Sequence, residues 1–258
     1  MSEDPKWPRA ASLISNQESQ IAIIDIPASK TSISPTNAHL TPKAIRAALA
    51  SYSTFSYATG QDLSAAIIED LGEISDPDSN EAETISRLAT ANKELVIALG
   101  GDNSITYAAA LGVLGENLSD ARLVTLDAHH DLRDGISNGS PVRRLIEAGL
   151  NPKNIYQIGI NDFSNSADYA AIAGRLGINV ISRQEVADIG IKAACQRALK
   201  GTVGQVFVDI DVDVCDRSVV PACPASAPGG ISAFELRQAA RILASNKRVV
   251  GMDITEID

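Results

Sequence analysis

The 258-residue sequence predicts an α/β protein, a three-layer α/β/α sandwich around a central, mostly parallel sheet. Three observations predict it. Short runs of Val, Ile and Leu are apolar at consecutive positions, as strands buried on both faces must be. Stretches of helical periodicity lie between them. Four of the runs end in glycine, acidic or histidine residues, and parallel sheets hold their ligands beyond the carboxyl ends of strands.

In chain order, the first strand is Ile21–Ile26, followed by a helical pattern over Thr41–Ala50. A second helix over Asn80–Asn92 precedes the strand Leu95–Leu99, and Ser104–Leu114 is the next helix. Strand Arg122–Leu126, helix Ser140–Ala148 and strand Asn154–Ile158 continue the alternation. Helix Ser166–Leu176, strand Asn179–Ile181, helix Gln184–Leu199 and strand Gln205–Ile210 come next. Ser232 and Glu235 form a capping box for a helix over Ala233–Ser245, and Val249–Ile254 is the last strand. No repeat, low-complexity tract or long linker divides the chain, so residues 1–258 are read as one domain. Residues 1–20 are polar and are expected to be poorly ordered.

Composition excludes several function classes. The chain is 45% hydrophobic and 21% charged, with a formal net charge of −10. Nucleic acid and anionic membranes need a basic face, so neither is expected as a partner. No apolar run reaches the roughly 18 residues that span a bilayer, and the start lacks a signal-peptide pattern. Cys195, Cys215 and Cys223 are odd in number without CxxC spacing, which fits reduced thiols in a cytoplasmic protein.

The chemistry gathers at the strand ends. Leu95–Leu99 runs into Gly100-Gly101-Asp102-Asn103-Ser104, and Arg122–Leu126 into Asp127-Ala128-His129-His130-Asp131. Gln205–Ile210 leads through Asp209, Asp211 and Asp213, and Val249–Ile254 reaches Glu256. In extended chain, residues two apart face the same side, so Asp127, His129 and Asp131 point into one space. Asp209 and Asp211 add two more carboxylates. Such a cluster is costly to bury without a divalent cation, and oxygen-rich ligation with imidazole suits manganese. His130 faces the other way and is read as a supporting or packing residue. An EF-hand is excluded, because Val214 stands where its loop needs glycine.

These three segments, in this order and spacing, resemble the metal-binding signatures of the ureohydrolase (arginase) family. Thr41-Pro42-Lys43-Ala44-Ile45-Arg46 and the segment from Pro224 to Gly230 add to the likeness, which runs from about Ile21 onward. Within the family, Asp127–Arg133, Asn138–Arg143, Gln157–Ile160 with Asn165-Ser166, and Cys223-Pro224-Ala225 are similar to the formimidoylglutamase branch. The resemblance implies the arginase-like fold and two manganese ions held by Asp127, His129, Asp131, Asp209 and Asp211, with Asp127 and Asp209 bridging. It implies hydrolysis of N-formimidoyl-L-glutamate to L-glutamate and formamide, with Glu256 binding the amidine nitrogens. Asp131, Glu256 and Asn138 are the implied catalytic positions. Asn138 stands where arginases carry a histidine and joins Glu256, Arg143 and Arg144 in the expected substrate contacts.

Asn103 departs from the pattern, because the family usually carries a histidine ligand there. Its neutral carbonyl is a weaker donor, so one metal site is expected to be weak. The chain also ends at Asp258, where family members continue, which suggests truncation. Hydrolysis of agmatine or guanidinobutyrate is the alternative within the same machinery. A non-catalytic homologue with an impaired metal site is the alternative from another class. A homo-oligomer is expected by resemblance alone.

Overall fold

A computed structural model of the chain describes residues 4–201 and 204–258. Its first strands are β1 (Ile14–Ser15) and β2 (Ile21–Ile26), followed by helix α1 (Thr41–Leu49) and a small hairpin, β3 (Phe55–Ser56) with β4 (Gln61–Asp62). β5 (Ile68–Glu73), α2 (Glu81–Ala91), β6 (Leu95–Gly100) and α3 (Ile105–Leu114) come next. The alternation continues through β7 (Arg122–Leu126), α4 (Pro141–Glu147), β8 (Ile155–Ile160), α5 (Ala167–Leu176) and β9 (Asn179–Ser182). It closes with α6 (Arg183–Ile189), α7 (Ile191–Leu199), β10 (Val206–Asp211), α8 (Ala233–Ala244) and β11 (Val249–Thr255). No helix among the described residues is long and apolar enough to cross a membrane.

Nine strands form one sheet in the order β1-β5-β2-β6-β11-β10-β7-β8-β9, with every pairing parallel. Alternation along each strand divides the core in two. Leu123 and Phe207 pack with Leu88, Ala109 and Leu145 from helices on one face. Val124 and Val208 pack with Val186, Ala194 and Leu243 from α6, α7 and α8 on the other. This is the three-layer α/β/α sandwich that the periodicity implies. The Ser232–Glu235 capping box is formed at the start of α8.

Three expectations change. The first 20 residues are partly built into the fold, since Ala10–Leu13 forms a 3-10 turn and β1 pairs with β5. β5 itself escapes a hydrophobicity reading because Glu69 and Asp70 interrupt it. Their charges are met by distant residues: Lys93 lies 2.7 Å from Glu69, and the Arg46 guanidinium forks onto Asp70 at 2.8 and 2.9 Å. The helix expected over Gln184–Leu199 is two helices, broken at Gly190, whose φ of 81° and ψ of 147° no helix accommodates.

Phe207 is one of the largest fully buried side chains, at 1% exposure. Phe207→Ala should cost about 3–5 kcal/mol, seen as a lower denaturant midpoint with the slope of the transition unchanged.

Candidate metal centre and active-site cleft

The four motif-bearing strands are immediate neighbours, in the order β6-β11-β10-β7. Register places their ends at one level: Asp211 pairs with Thr255, and Ile210 with both Ile254 and Leu126. Everything after those positions emerges at one rim. Gly101 makes the rim compact, because a Cβ there would lie 1.8 Å from the Ala28 carbonyl oxygen. Gly159, at φ 106°, lets the end of β8 lean on Val214 and Asp127.

The metal-type ligands cluster tightly. One ligand atom each from Asp127, His129 and Asp213 lies within 4.8 Å of the others. His129 Nδ1 is 2.7 Å from Asp213 Oδ2 and 3.5 Å from Asp127 Oδ1. Backbone amides hold the carboxylates: Ala128 N donates to Asp213 at 3.0 Å, and Asp213 N to Asp211 at 2.8 Å. Asp131 adopts φ 53° and Glu256 φ 65°, both left-handed and costly for residues other than glycine. Each is fixed from outside. Asn103 Nδ2 donates to Asp131 Oδ2 at 2.5 Å, while Asn103 N and Asn138 Nδ2 donate to Glu256 Oε1 at 2.7 and 2.8 Å. Beyond Glu256, the Thr41 hydroxyl donates to the Ile257 carbonyl, and Asn37 N to Asp258 at 2.9 Å.

A cleft of about 280 Å³ opens over these groups. His129, Asp131, Asp211, Asp213, Asn138 and Glu256 line it, together with Arg133, Asn165, Ser166 and Tyr169. Asp127 is buried behind them, and its Oδ2 has no hydrogen-bond partner among the described residues.

Burial, then the charge of Asp213, pushes Asp127 up to about 6. Burial, then neighbouring carboxylates, raises Asp131 and Asp211 well above the ordinary carboxylate range. Glu256 is pushed up to about 7 by burial, despite the hydrogen bonds from Asn138 and Asn103. Burial alone would lower His129, but the carboxylates of Asp127 and Asp213 outweigh it and hold the ring at about 11. One imidazolium does not balance so many buried carboxylates. Buried oxygen donors with one imidazole and an unpartnered Asp127 oxygen fit a hard divalent cation.

The structure redistributes several sequence-based expectations. Asp209 lies outside the tightest group of ligand atoms, that of Asp127, His129 and Asp213. It lies inside β10, level with Thr125 and Asp253 and 3.4 Å from the Thr106 hydroxyl. Asp213 is the residue that sequence reasoning missed. It stands beyond the strand end, where ligand positions belong, so the same rule applied two residues later would have found it. Asn103 is placed differently too: its carbonyl accepts from Thr106 and Thr255, both at 2.9 Å, and its amide serves Asp131. Arg144 forks onto Glu81 and stacks on Tyr107, and Arg143 is bound to Glu147 and the Arg133 and Gly135 carbonyls. Neither lines the cleft; Arg133 does. All three cysteines are free and buried.

A sequence model of the arginase family matches residues 19–258. The chain belongs to the arginase family. It is 36% identical over 258 residues to the formimidoylglutamase of Halalkalibacterium halodurans, covering 92% of this chain and 79% of that one. The crystal structure of formimidoylglutamase from Bacillus subtilis superposes with a TM-score of 0.91 at 30% identity, over 100% of this chain and 86% of that one. Trypanosoma cruzi formiminoglutamase, solved with Mn2+, shares the fold with a TM-score of 0.89 at 24% identity, over 98% and 91% of the two chains.

The charge balance of this arginase-family site sets a pH dependence. Asp127 and Glu256 have raised folded-state values, about 6 and about 7 against 3.8 and 4.5. Their contribution to the metal-free protein is fully present below about pH 4 and is lost as pH rises through those values. His129, held at about 11 against 6.5, adds to the loss once pH rises above about 6.5. The Tm of metal-free protein should therefore fall from about pH 4.5 to about pH 7.5. Added Mn2+, which needs ionised carboxylates, should reverse the slope; a slope unchanged by Mn2+ would contradict a cation site.

Proposed function

We propose that the chain is a manganese-dependent hydrolase that converts N-formimidoyl-L-glutamate and water to L-glutamate and formamide. The observation that carries this reading is the cleft itself. It sets an anchored anion, Glu256, beside a cluster of metal-type ligands, with a cationic side chain, Arg133, in the same lining. An amidinium suits the first, hydrolysis the second, and a dicarboxylate tail the third. Relatives named formimidoylglutamase support the same substrate.

Manganese would be held by Asp127, His129 and Asp213, with Asp131 and Asp211 supplying a second, weaker position. When bound, the metal supplies Lewis acidity and lowers the pKa of water. Glu256 Oε1 is occupied by two donors, so Oε2 is left for the amidinium nitrogens. Ionised Glu256 orients the cation and is itself stabilised by it. Asn138 holds Glu256 rather than moving protons, because its Oδ1 accepts from Ile33 N at 3.1 Å while its amide points at the carboxylate. Water adds to the amidine carbon, and the bond to the glutamate nitrogen breaks as that nitrogen takes a proton. Asp131, braced by Asn103, is the carboxyl we assign to that proton. Arg133 pairs with a substrate carboxylate. Its guanidinium stem rests on Gly139, where a Cβ would lie 2.7 Å from Arg133 Cδ.

Incubation with N-formimidoyl-L-glutamate should release glutamate in manganese and not in chelator. Agmatine should be a poor substrate; the reverse preference would favour the guanidino reading. Glu256→Gln should lower kcat/KM by about 100-fold or more, a loss of about 2.7 kcal/mol. Arg133→Ala should act mainly on KM.

Elemental analysis after dialysis should find one tightly held manganese per chain. Asn103→His should raise that count, because an imidazole is a stronger donor than a committed carboxamide; two tight ions in the unaltered protein would refute a weakened site.

A further inference from the structure

The mechanism leaves one buried imidazole without a role. His130 sits between two ligand residues, yet its ring turns toward β8, with Nδ1 2.7 Å from Gln157 Oε1. Gln157 is fully buried, and its Nε2 donates back to the His130 carbonyl at 3.0 Å. That second bond settles which way the carboxamide faces, since only its NH2 can donate to a carbonyl. The atom facing His130 is therefore an acceptor, so Nδ1 must carry a proton, and in the neutral ring Nε2 then holds the lone pair. Nε2 makes no hydrogen bond among the described residues, but it is not one of the sealed, orphaned polar atoms. His130 lines the cleft, and Nε2 is the ring atom we take to face it. The backbone on either side is pinned as well: His130 N donates to Asn165 Oδ1 at 3.0 Å, and Asn165 Nδ2 to the Ala128 carbonyl at 2.8 Å.

A lone pair with a fixed direction in a substrate cleft selects for a donor. Asn165, Arg133, Glu256 and Asn138 all line the same cleft as His130. In a formimidoyl amino acid, the group between amidine carbon and carboxylates is the nitrogen that becomes the product amine. We infer that His130 is a specificity-determining residue, its Nε2 accepting a hydrogen bond from that nitrogen, and that Gln157 is the positioning residue that keeps it an acceptor. This rests on the formimidoylglutamate reading. A site built to accept from N–H discriminates strongly against ligands with a methylene there, because its own polar atom is then left unpaired.

Two measurements test it on the manganese-loaded protein. Ring-15N NMR of the three histidines should find His130 as the neutral Nδ1–H tautomer, and Gln157→Leu should release it into a mixture. Calorimetric binding should favour L-glutamate over glutarate by about tenfold, equivalent to about 1.4 kcal/mol. His130→Leu should bring that preference to about parity, and His130→Gln, which can present a carbonyl, should restore part of it. A wild-type Nε2–H tautomer would overturn the inference. So would a preference that survives His130→Leu while Tm drops, the signature of a purely structural role. If unaltered protein neither hydrolyses formimidoylglutamate nor binds glutamate, the substrate reading falls and takes this inference with it. Turnover with an unchanged preference in His130→Leu removes the inference alone.

Discussion

Like charges held in one buried place are the constraint on which this structure depends. Asp127, Asp131, Asp211, Asp213 and Glu256 are all nearly inaccessible to solvent. Burial and neighbouring carboxylates favour the neutral acids at Asp127, Asp131, Asp211 and Glu256. What holds them is backbone geometry: parallel neighbours β6, β11, β10 and β7 end at one level and deliver their next residues to one rim. The sheet is stable for reasons unrelated to the site, in two apolar layers below it. That stability lets a cluster exist that would be unfavourable alone.

The supports around the cluster form a second tier. Asparagine amides do much of the holding, since they donate to carboxylates without adding charge. Asn103 braces Asp131 and Glu256 together, and Asn138 joins Glu256 to the loop that carries Ile33. Left-handed backbone at Asp131 and Glu256 is tolerated because these bonds over-determine it. Arg46, from α1, performs the analogous task at the sheet's other side by forking between Asp25 and Asp70. Charge is placed where it is paired or where it has chemistry to do.

Legibility followed the range of the interaction concerned. Seven strands and most helices could be read because their signals are local: consecutive β-branched residues, helical periodicity and a capping box. β5 was hidden because its acids are satisfied by Lys93 and Arg46, far away in sequence. At the site, motif spacing and strand ends bring Asp127, His129, Asp131, Asp211 and Glu256 to one rim, and all of these but Asp127 line the cleft. Asp209 and Asp213 were exchanged because a DxDxD run looks the same when shifted by two residues, and only the strand's true end separates them. Arg143 and Arg144 looked available because the sequence does not reveal Glu81 or the carbonyls that engage them.

By itself, the sequence determined the layer architecture, the family and the kind of chemistry, because strand periodicity and the strand-end motifs are carried by neighbouring residues. Tertiary structure alone decided which carboxylates meet, which arginine faces the cleft, and which nitrogen of His130 bears the proton. Each of those depends on a partner many residues away. The direction of a hydrogen bond or ion pair is set when the strands are brought side by side.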